Sequence, residues 1–437
     1  MADSESTPPY RGDFLLTLRE IARWTVLGSM VGILAGIASV IFLISLNWAT
    51  STRLMYPPLL LMLPGAGLVV GWIYQRYAGA AAQGTNLVIE EIHSNAAVIP
   101  LRMAPLVLIG TIVTHLFGGS AGREGTAIQM GASLADSLRR LPFIDIRLTP
   151  QDRRLLIMAG ISGGFGSVFG TPAAGFIFGM EVQNVGRIRY EGLIPCLAAS
   201  IVGDLTTRAI GAAHSHYPAM PTLALDPLLV IKIAAAGLLF GLASLLFIEL
   251  THTIKAALAH IPQPPLHPVV GGLVVIGLTL LLGTQDYLGL SLPLIQNSVS
   301  GEGVVPFAFL LKILFTAVTL GSGFLGGEVT PLFVIGSTLG YTLGMVLGVD
   351  PAVMASIGFV AVFAGASNTP LACAVMGLEL FGSGGLIYLV IGCGMAYLAS
   401  GHRGIYSTQR IDTPKHPRFS FEPHQPLRRS KQPKAPE

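Results

Sequence analysis

Glu124 lies in Gly119-Ser120-Ala121-Gly122-Arg123-Glu124-Gly125-Thr126, a glycine-rich turn opening onto a helix-forming run from Ala127 to Leu138. A helix start carries unpaired N–H groups and partial positive charge, which makes it an anion site. Here the chain supplies its own anion beside that place. A tethered carboxylate that competes with a free anion, and also takes a proton, has the properties of a gate. The structural reading is a loop carboxylate paired with Arg123, but an ionisable group inside apolar sequence points to function first. A second carboxylate, Glu328, stands between Gly326-Gly327 and Val329-Thr330. It either tunes proton coupling or holds its loop by capping backbone donors.

The elements that must position these groups are membrane helices. The chain has 437 residues, 52% hydrophobic and 11% charged, with mean hydropathy +0.67. Soluble domains carry about 25% charged residues, so this is a polytopic membrane protein. Apolar stretches run over 25–48, 58–74, 103–117, 155–180, 227–249, 269–283, 303–320, 331–348 and 371–399. Several fall short of the ~20 residues that cross the hydrocarbon core. With 53 glycines and 29 prolines, broken and tilted helices are expected. Interrupted helices persist at membrane depth only where they line a cavity or pack inside protein, which favours a transporter or channel over an anchor.

Basic residues set the expected topology. Arg11, Arg19 and Arg23 precede the first apolar run, and the 139–154 loop carries Arg139, Arg140, Arg147, Arg153 and Arg154. The tail carries Arg418, Arg428, Arg429, Lys431 and Lys434. By the positive-inside rule all three lie on the cytoplasmic side, so the crossings are even in number and both termini are cytoplasmic. No cleavable signal is read in the N-terminal residues, which suits a bacterial plasma membrane. The net charge of +3 reflects this bias and implies no nucleic acid. Cys196, Cys373 and Cys393 sit in apolar runs and read as small hydrophobes; no metal-ligand spacing and no cofactor motif are present. Gly160-Ile161-Ser162-Gly163 matches the short pattern of intramembrane serine proteases, but no later histidine sits mid-segment as a general base. Ser162 therefore reads as a packing residue, and the chain as no enzyme.

Two pairs of segments repeat in order. Thr171-Pro172-Ala173-Ala174-Gly175 through Glu181 matches Thr369-Pro370-Leu371-Ala372-Cys373 through Glu379 in its Thr, Pro, Ala, Gly and Glu positions, 198 residues apart. Gly122-Arg123-Glu124-Gly125-Thr126 matches Gly326-Gly327-Glu328-Val329-Thr330 at a separation of 204, each followed by a Gly-Ser patch at 131–133 and 336–338. Two ordered matches at nearly one offset argue for duplication, a common transporter plan with substrate held where the halves meet. The expected units are a cytoplasmic segment 1–24, repeats 25–210 and 211–408, and a basic tail 409–437. Glu181 and Glu379 occupy equivalent places, which favours structural roles.

These loops resemble those of the CLC family of anion channels and proton-coupled anion exchangers. Gly122-Arg123-Glu124-Gly125 resembles the family's gating-glutamate loop, with Thr126 at its usual proline. Gly321-Ser322-Gly323-Phe324-Leu325-Gly326-Gly327-Glu328-Val329-Thr330-Pro331 resembles the second-half loop. Gly401-His402-Arg403-Gly404-Ile405-Tyr406-Ser407 resembles the signature with an anion-contacting tyrosine, and Phe169 to Gly175 with Glu181 fits the helix between. The resemblance spans roughly residues 25–410. It implies an all-α polytopic fold of many short tilted helices in two inverted repeats. It also implies a homodimer with a separate anion pathway in each subunit.

The departures are informative. The family's first signature falls at Gly84-Thr85-Asn86-Leu87-Val88, where threonine and asparagine replace serine and glycine and the proline is lost. Glu328-Val329 replaces an apolar pair before Thr330. This combination looks like the fluoride-exporting branch, the CLC-type fluoride/proton antiporters. Fluoride is small and strongly hydrated, so donors must replace its water; the Thr85 and Thr330 hydroxyls, the Asn86 amide and the Tyr406 phenol are donors of that type. Arg123, Gly125 and Val329 complete the expected anion site, with Glu124 as gate and proton carrier and Glu328 in coupling. Bland readings stand beside these: Thr85 and Asn86 as a helix N-cap, Thr330 and Val329 as packing, Tyr406 as an interfacial aromatic. Glu90 and Glu91 receive no role. Where chloride/proton exchangers often carry a cytoplasmic-side carboxylate, this chain has Val182, so protons need another route or the protein is an uncoupled channel. The alternative within the family is a chloride channel or chloride/proton exchanger.

Overall fold

Proline and small polar residues decide where the helices start. The computed structural model describes residues 10–96, 98–140, 149–416 and 424–427. In chain order the α-helices are α1 (Tyr10–Met55), α2 (Leu63–Ile73), α3 (Thr85–Ser94), α4 (Met103–Leu116), α5 (Glu124–Ser137), α6 (Pro150–Phe169), α7 (Pro172–Glu181) and α8 (Leu193–Ala209). They continue as α9 (Pro227–Leu258), α10 (Leu266–Leu282), α11 (Leu292–Ser300), α12 (Ala308–Gly321), α13 (Val329–Leu347), α14 (Pro351–Ser367), α15 (Pro370–Phe381) and α16 (Leu386–Ala399). Proline opens α6, α7, α9, α14 and α15, where its missing N–H costs nothing. Thr149 and Asp152 add a reciprocal capping box to α6. The architecture is all-α and polytopic.

Among the described residues, four helical stretches are long and apolar enough to cross a membrane, Phe14–Met55, Pro57–Gln83, Pro227–Leu258 and Val329–Leu347, and the other apolar helices are shorter. The apolar run 155–180 is not one element. Gly170 ends α6 in the left-handed region at φ 74 and Pro172 starts α7 afresh. The run 371–399 likewise divides into α15 and α16 at Gly382. A three-stranded ribbon closes the chain, β1 (Asn184–Val185) parallel to β2 (Arg410–Ile411), which is antiparallel to β3 (Gln425–Pro426).

Packing repeats as the sequence does. Gly131 of α5 meets Gly160 of α6 backbone to backbone, and Gly336 of α13 meets Gly358 of α14 in the same way. Small residues permit such approach where the hydrophobic effect does not drive helices together. The helices α7 and α15 cap one another. Glu181, ending α7, accepts from the Leu371 and Ala372 amides at 3.1 and 2.8 Å, and Glu379 accepts from those of Ala173 and Ala174 at 2.9 and 2.8 Å. Each carboxylate sits at the positive start of the other helix, so the two run antiparallel.

The end of the basic 139–154 segment is helical rather than loop, since α6 starts at Pro150. Arg153 is buried and pairs with Asp136 at 2.7 Å and with Glu91 at 3.1 Å. Glu91, without a role from sequence, thus helps lock the ends of α3, α5 and α6 together. Arg23 reaches Asp152 at 2.9 Å and ties α1 to the start of α6. Arg147, Arg418, Arg428, Arg429, Lys431 and Lys434 lie outside the described residues. Ser162 is fully buried against Gly179 of α7, a packing position.

Candidate anion site

Two glycine loops meet at the centre of the chain. Gly122 and Gly327 exchange backbone hydrogen bonds at 2.7 and 2.8 Å, an isolated antiparallel bridge between the halves. A Cβ on Gly327 would lie 2.8 Å from the Gly125 nitrogen and 2.9 Å from that of Glu124, so only glycine allows this approach. With the loop pinned at Gly122, α5 begins at Glu124, three residues before the run starting at Ala127.

The Glu124 carboxylate is fully buried and turns to the other half. Its Oε2 accepts from the Thr330 amide at 2.9 Å and the Arg123 amide at 3.1 Å. The Thr330 hydroxyl donates to Oε1. Arg123 Nε stands 3.4 Å from Oε1. A carboxylate thus occupies the N-terminus of α13, taking the donors a free anion would use. Thr330 is a hydrogen-bond partner of Glu124 rather than packing alone.

Thr85 and Asn86 open α3 rather than capping it; Gly84 holds the cap position and no side-chain cap bond forms. Thr85 Oγ1 faces Gly125 across 3.9 Å from where a Cβ there would stand. The starts of α3, α5 and α13 therefore converge, adding their partial positive ends. Asn86 Oδ1 accepts from Ser407 and from the Thr408 amide, both at 3.3 Å, which binds α3 to the segment after Tyr406. Tyr406 is 2% exposed and its phenol oxygen has no hydrogen-bond partner among the described residues, so it is no interfacial aromatic. Its ring meets Phe178 edge-on at 6.5 Å, beside the stacked Phe165–Phe178 pair. Val329 is buried in the same core.

Glu328 behaves differently. It takes the cap position of α13 with no side-chain cap bond, is partly exposed, and accepts no hydrogen bond among the described residues. The capping alternative for it is thereby removed. Val182 is buried, with its carbonyl accepting from Gln409 at 2.7 Å. A cleft of about 430 Å³ lined by Asn47, Thr50, His214 and Ser215 reaches Arg123.

Three polar residues escaped the sequence reading. Lys312 on α12 is fully buried, its Nζ sharing three protons among four oxygens within hydrogen-bonding distance: Ser120 Oγ (3.0 Å), Gly289 O (2.8 Å), Ser291 Oγ (2.8 Å) and Tyr287 O (3.2 Å). A lone lysine in the 303–320 run was the available signal. His115 on α4 places its ring nitrogens 2.8 Å from Thr111 O and 3.0 Å from Ala121 O, bracing the Glu124 loop. Gln129, one turn beyond Gly125, points to Thr85; nothing local marks it. Thr126, at the usual proline, bonds Thr111 at 2.7 Å, a use proline could not provide.

Comparison with known proteins agrees with this geometry. The family described as voltage gated chloride channel matches residues 66–401. A protein of Pseudomonas syringae pv. tomato named chloride/fluoride channel protein is 47% identical, over 93% of this chain and 91% of its own length. The crystal structure of a CLC-type fluoride/proton antiporter superposes with TM-score 0.85 at 35% identity, covering 90% of this chain and 98% of that one. A slow cyanobacterial chloride/proton antiporter, at 20% identity and TM-score 0.72, shares the fold.

Proposed function

The chain belongs to the voltage-gated chloride channel family, and from that premise we propose that it exports fluoride across a bacterial plasma membrane in exchange for protons. One observation carries the reading: the Glu124 carboxylate holds the Thr330 amide and hydroxyl at the start of α13, the contacts an anion in transit requires. The names of the similar proteins, which speak of fluoride, support the substrate.

In the proposed cycle, deprotonated Glu124 fills the anion path. Protonation removes its charge and weakens its hold on the amides, since charge-assisted bonds are the stronger ones. The side chain then leaves, and fluoride takes its place among Thr330, Thr85, the Gly125 backbone and the Asn86 side chain. Arg123 contributes positive charge, and the Tyr406 phenol, which has no hydrogen-bond partner among the described residues, donates as well. Val329 supplies an apolar wall. Fluoride's small radius requires such close donors, whereas chloride tolerates a looser site. Glu328, near the path and uncommitted to other groups, passes protons that Val182 cannot.

We further place the repeats at 25–210 and 211–408, flanked by the cytoplasmic segments 1–24 and 409–437. The reciprocal Glu181 and Glu379 caps support an inverted relation between the halves. The functional unit is read as a homodimer surrounded by lipid, with both termini cytoplasmic. The test is efflux from proteoliposomes followed by fluoride and chloride electrodes side by side. Fluoride efflux that chloride does not replace is expected; equal chloride turnover overturns the substrate, and fluoride flux without proton countermovement overturns the exchange.

A further inference from the structure

Gln129 belongs to α5 but serves α3. Its Nε2 donates to Thr85 Oγ1 at 3.3 Å, and the side chain is 9% exposed. The bond is long-range, joining residues 44 positions apart. The backbone of Gly84, in the left-handed region at φ 58, lies close against this amide; a Cβ there would stand 3.3 Å from Nε2. The contact is thus built by both elements.

The direction of that bond matters. A threonine hydroxyl has one proton to donate and two lone pairs. Having accepted from Gln129, Thr85 donates to no acceptor among the described residues. Its proton is left for something else, on the side of Gly125. The other threonine of the site differs: the Thr330 hydroxyl is committed to Glu124. One donor is released only when the gate leaves, and the other stands ready beforehand.

We propose that Gln129 is a positioning residue that holds the Thr85 hydroxyl as a hydrogen-bond donor to fluoride, and so sets selectivity against chloride. This rests on the fluoride reading above. The physical reason is that a small, strongly hydrated anion depends on the orientation of each donor more than a large one does. Without the amide, nothing holds the Thr85 hydroxyl in that orientation, because Thr85 is the first residue of α3 and its rotor is otherwise unrestrained.

The experiment is a double-mutant cycle on fluoride and chloride transport by the full chain in proteoliposomes. Gln129→Met keeps length and removes the donor; Thr85→Val removes the hydroxyl. Each is expected to raise the KM for fluoride about fivefold, one hydrogen bond's worth, and Gln129→Met to do so with the maximal rate and the chloride flux little changed. The double variant is expected to equal Thr85→Val alone, because Gln129 acts through Thr85. Gln129→Glu, which accepts Thr85's proton instead, should lose more fluoride affinity than Gln129→Met and gives the same answer if that variant fails to fold. Additive losses, equal losses for both ions, or tighter fluoride binding in Gln129→Met would overturn the proposal. Wild-type protein that moves chloride as well as fluoride would instead overturn the fluoride reading itself.

Discussion

Two pairs of glutamates occupy matching places in the two halves, and they have diverged to different degrees. Glu181 and Glu379 do the same thing: each ends one helix and caps the start of the other, with two amide bonds apiece. Glu124 and Glu328 do not. Glu124 is buried and bound to the opposite helix start through Thr330, while Glu328 sits at the same helix start partly exposed and without hydrogen bonds among the described residues. A reciprocal contact satisfies both carboxylates at once, so it serves as a static fastening. Where the reciprocity is broken, one carboxylate fills a donor set and the other accepts no hydrogen bond among the described residues, which is the arrangement a moving charge needs.

That contrast can be broken first at Glu124. Glu124→Gln is expected to cut proton uptake driven by a fluoride gradient by about 100-fold or more, as loss of an essential proton-transfer group does; unchanged uptake removes Glu124 from the cycle. Next in size is Glu181→Ala. It strips two charge-assisted bonds from the start of α15 and should lower stability by about 3 kcal/mol, read as an earlier thermal transition in detergent. Its fluoride-to-proton ratio should stay at the wild-type value, and a changed ratio would make this pair part of the transport machinery. Glu328→Gln should reverse that pattern, with melting unaltered and coupling lowered about tenfold, short of the loss at Glu124. The smallest effect is expected from Tyr406→Phe, about a fivefold weaker fluoride KM for one lost donor. No change there would mean that the buried phenol does not face the anion.

Some of this was legible locally. The glycine loop at 119–125, the helix it starts and the costly carboxylate are neighbours in the chain, so their chemistry could be read from types and spacing. The repeat announced Glu181 and Glu379 as structural. Helix ends inside apolar runs were less visible: Gly170 and Gly382 each stand among many glycines, and only the backbone conformation tells which of them stops a helix. Lys312 had a signal, a single cation in an apolar run, that was overlooked. Gln129 had none, since a glutamine in a helix is neutral until its partner is known.

Sequence alone determined the membrane class and the all-α polytopic plan, and it singled out the carboxylates that are costly in lipid, because cost in lipid and helix-start chemistry are local properties. The tertiary structure decided which carboxylate is held and which is left uncommitted. It set Thr330 against Glu124 across 206 positions and Gln129 against Thr85. Hydrogen bonds act only within about 3 Å, so a donor's role is settled by the helix packed against it, and that neighbour comes from the other half of the chain or another turn of the fold.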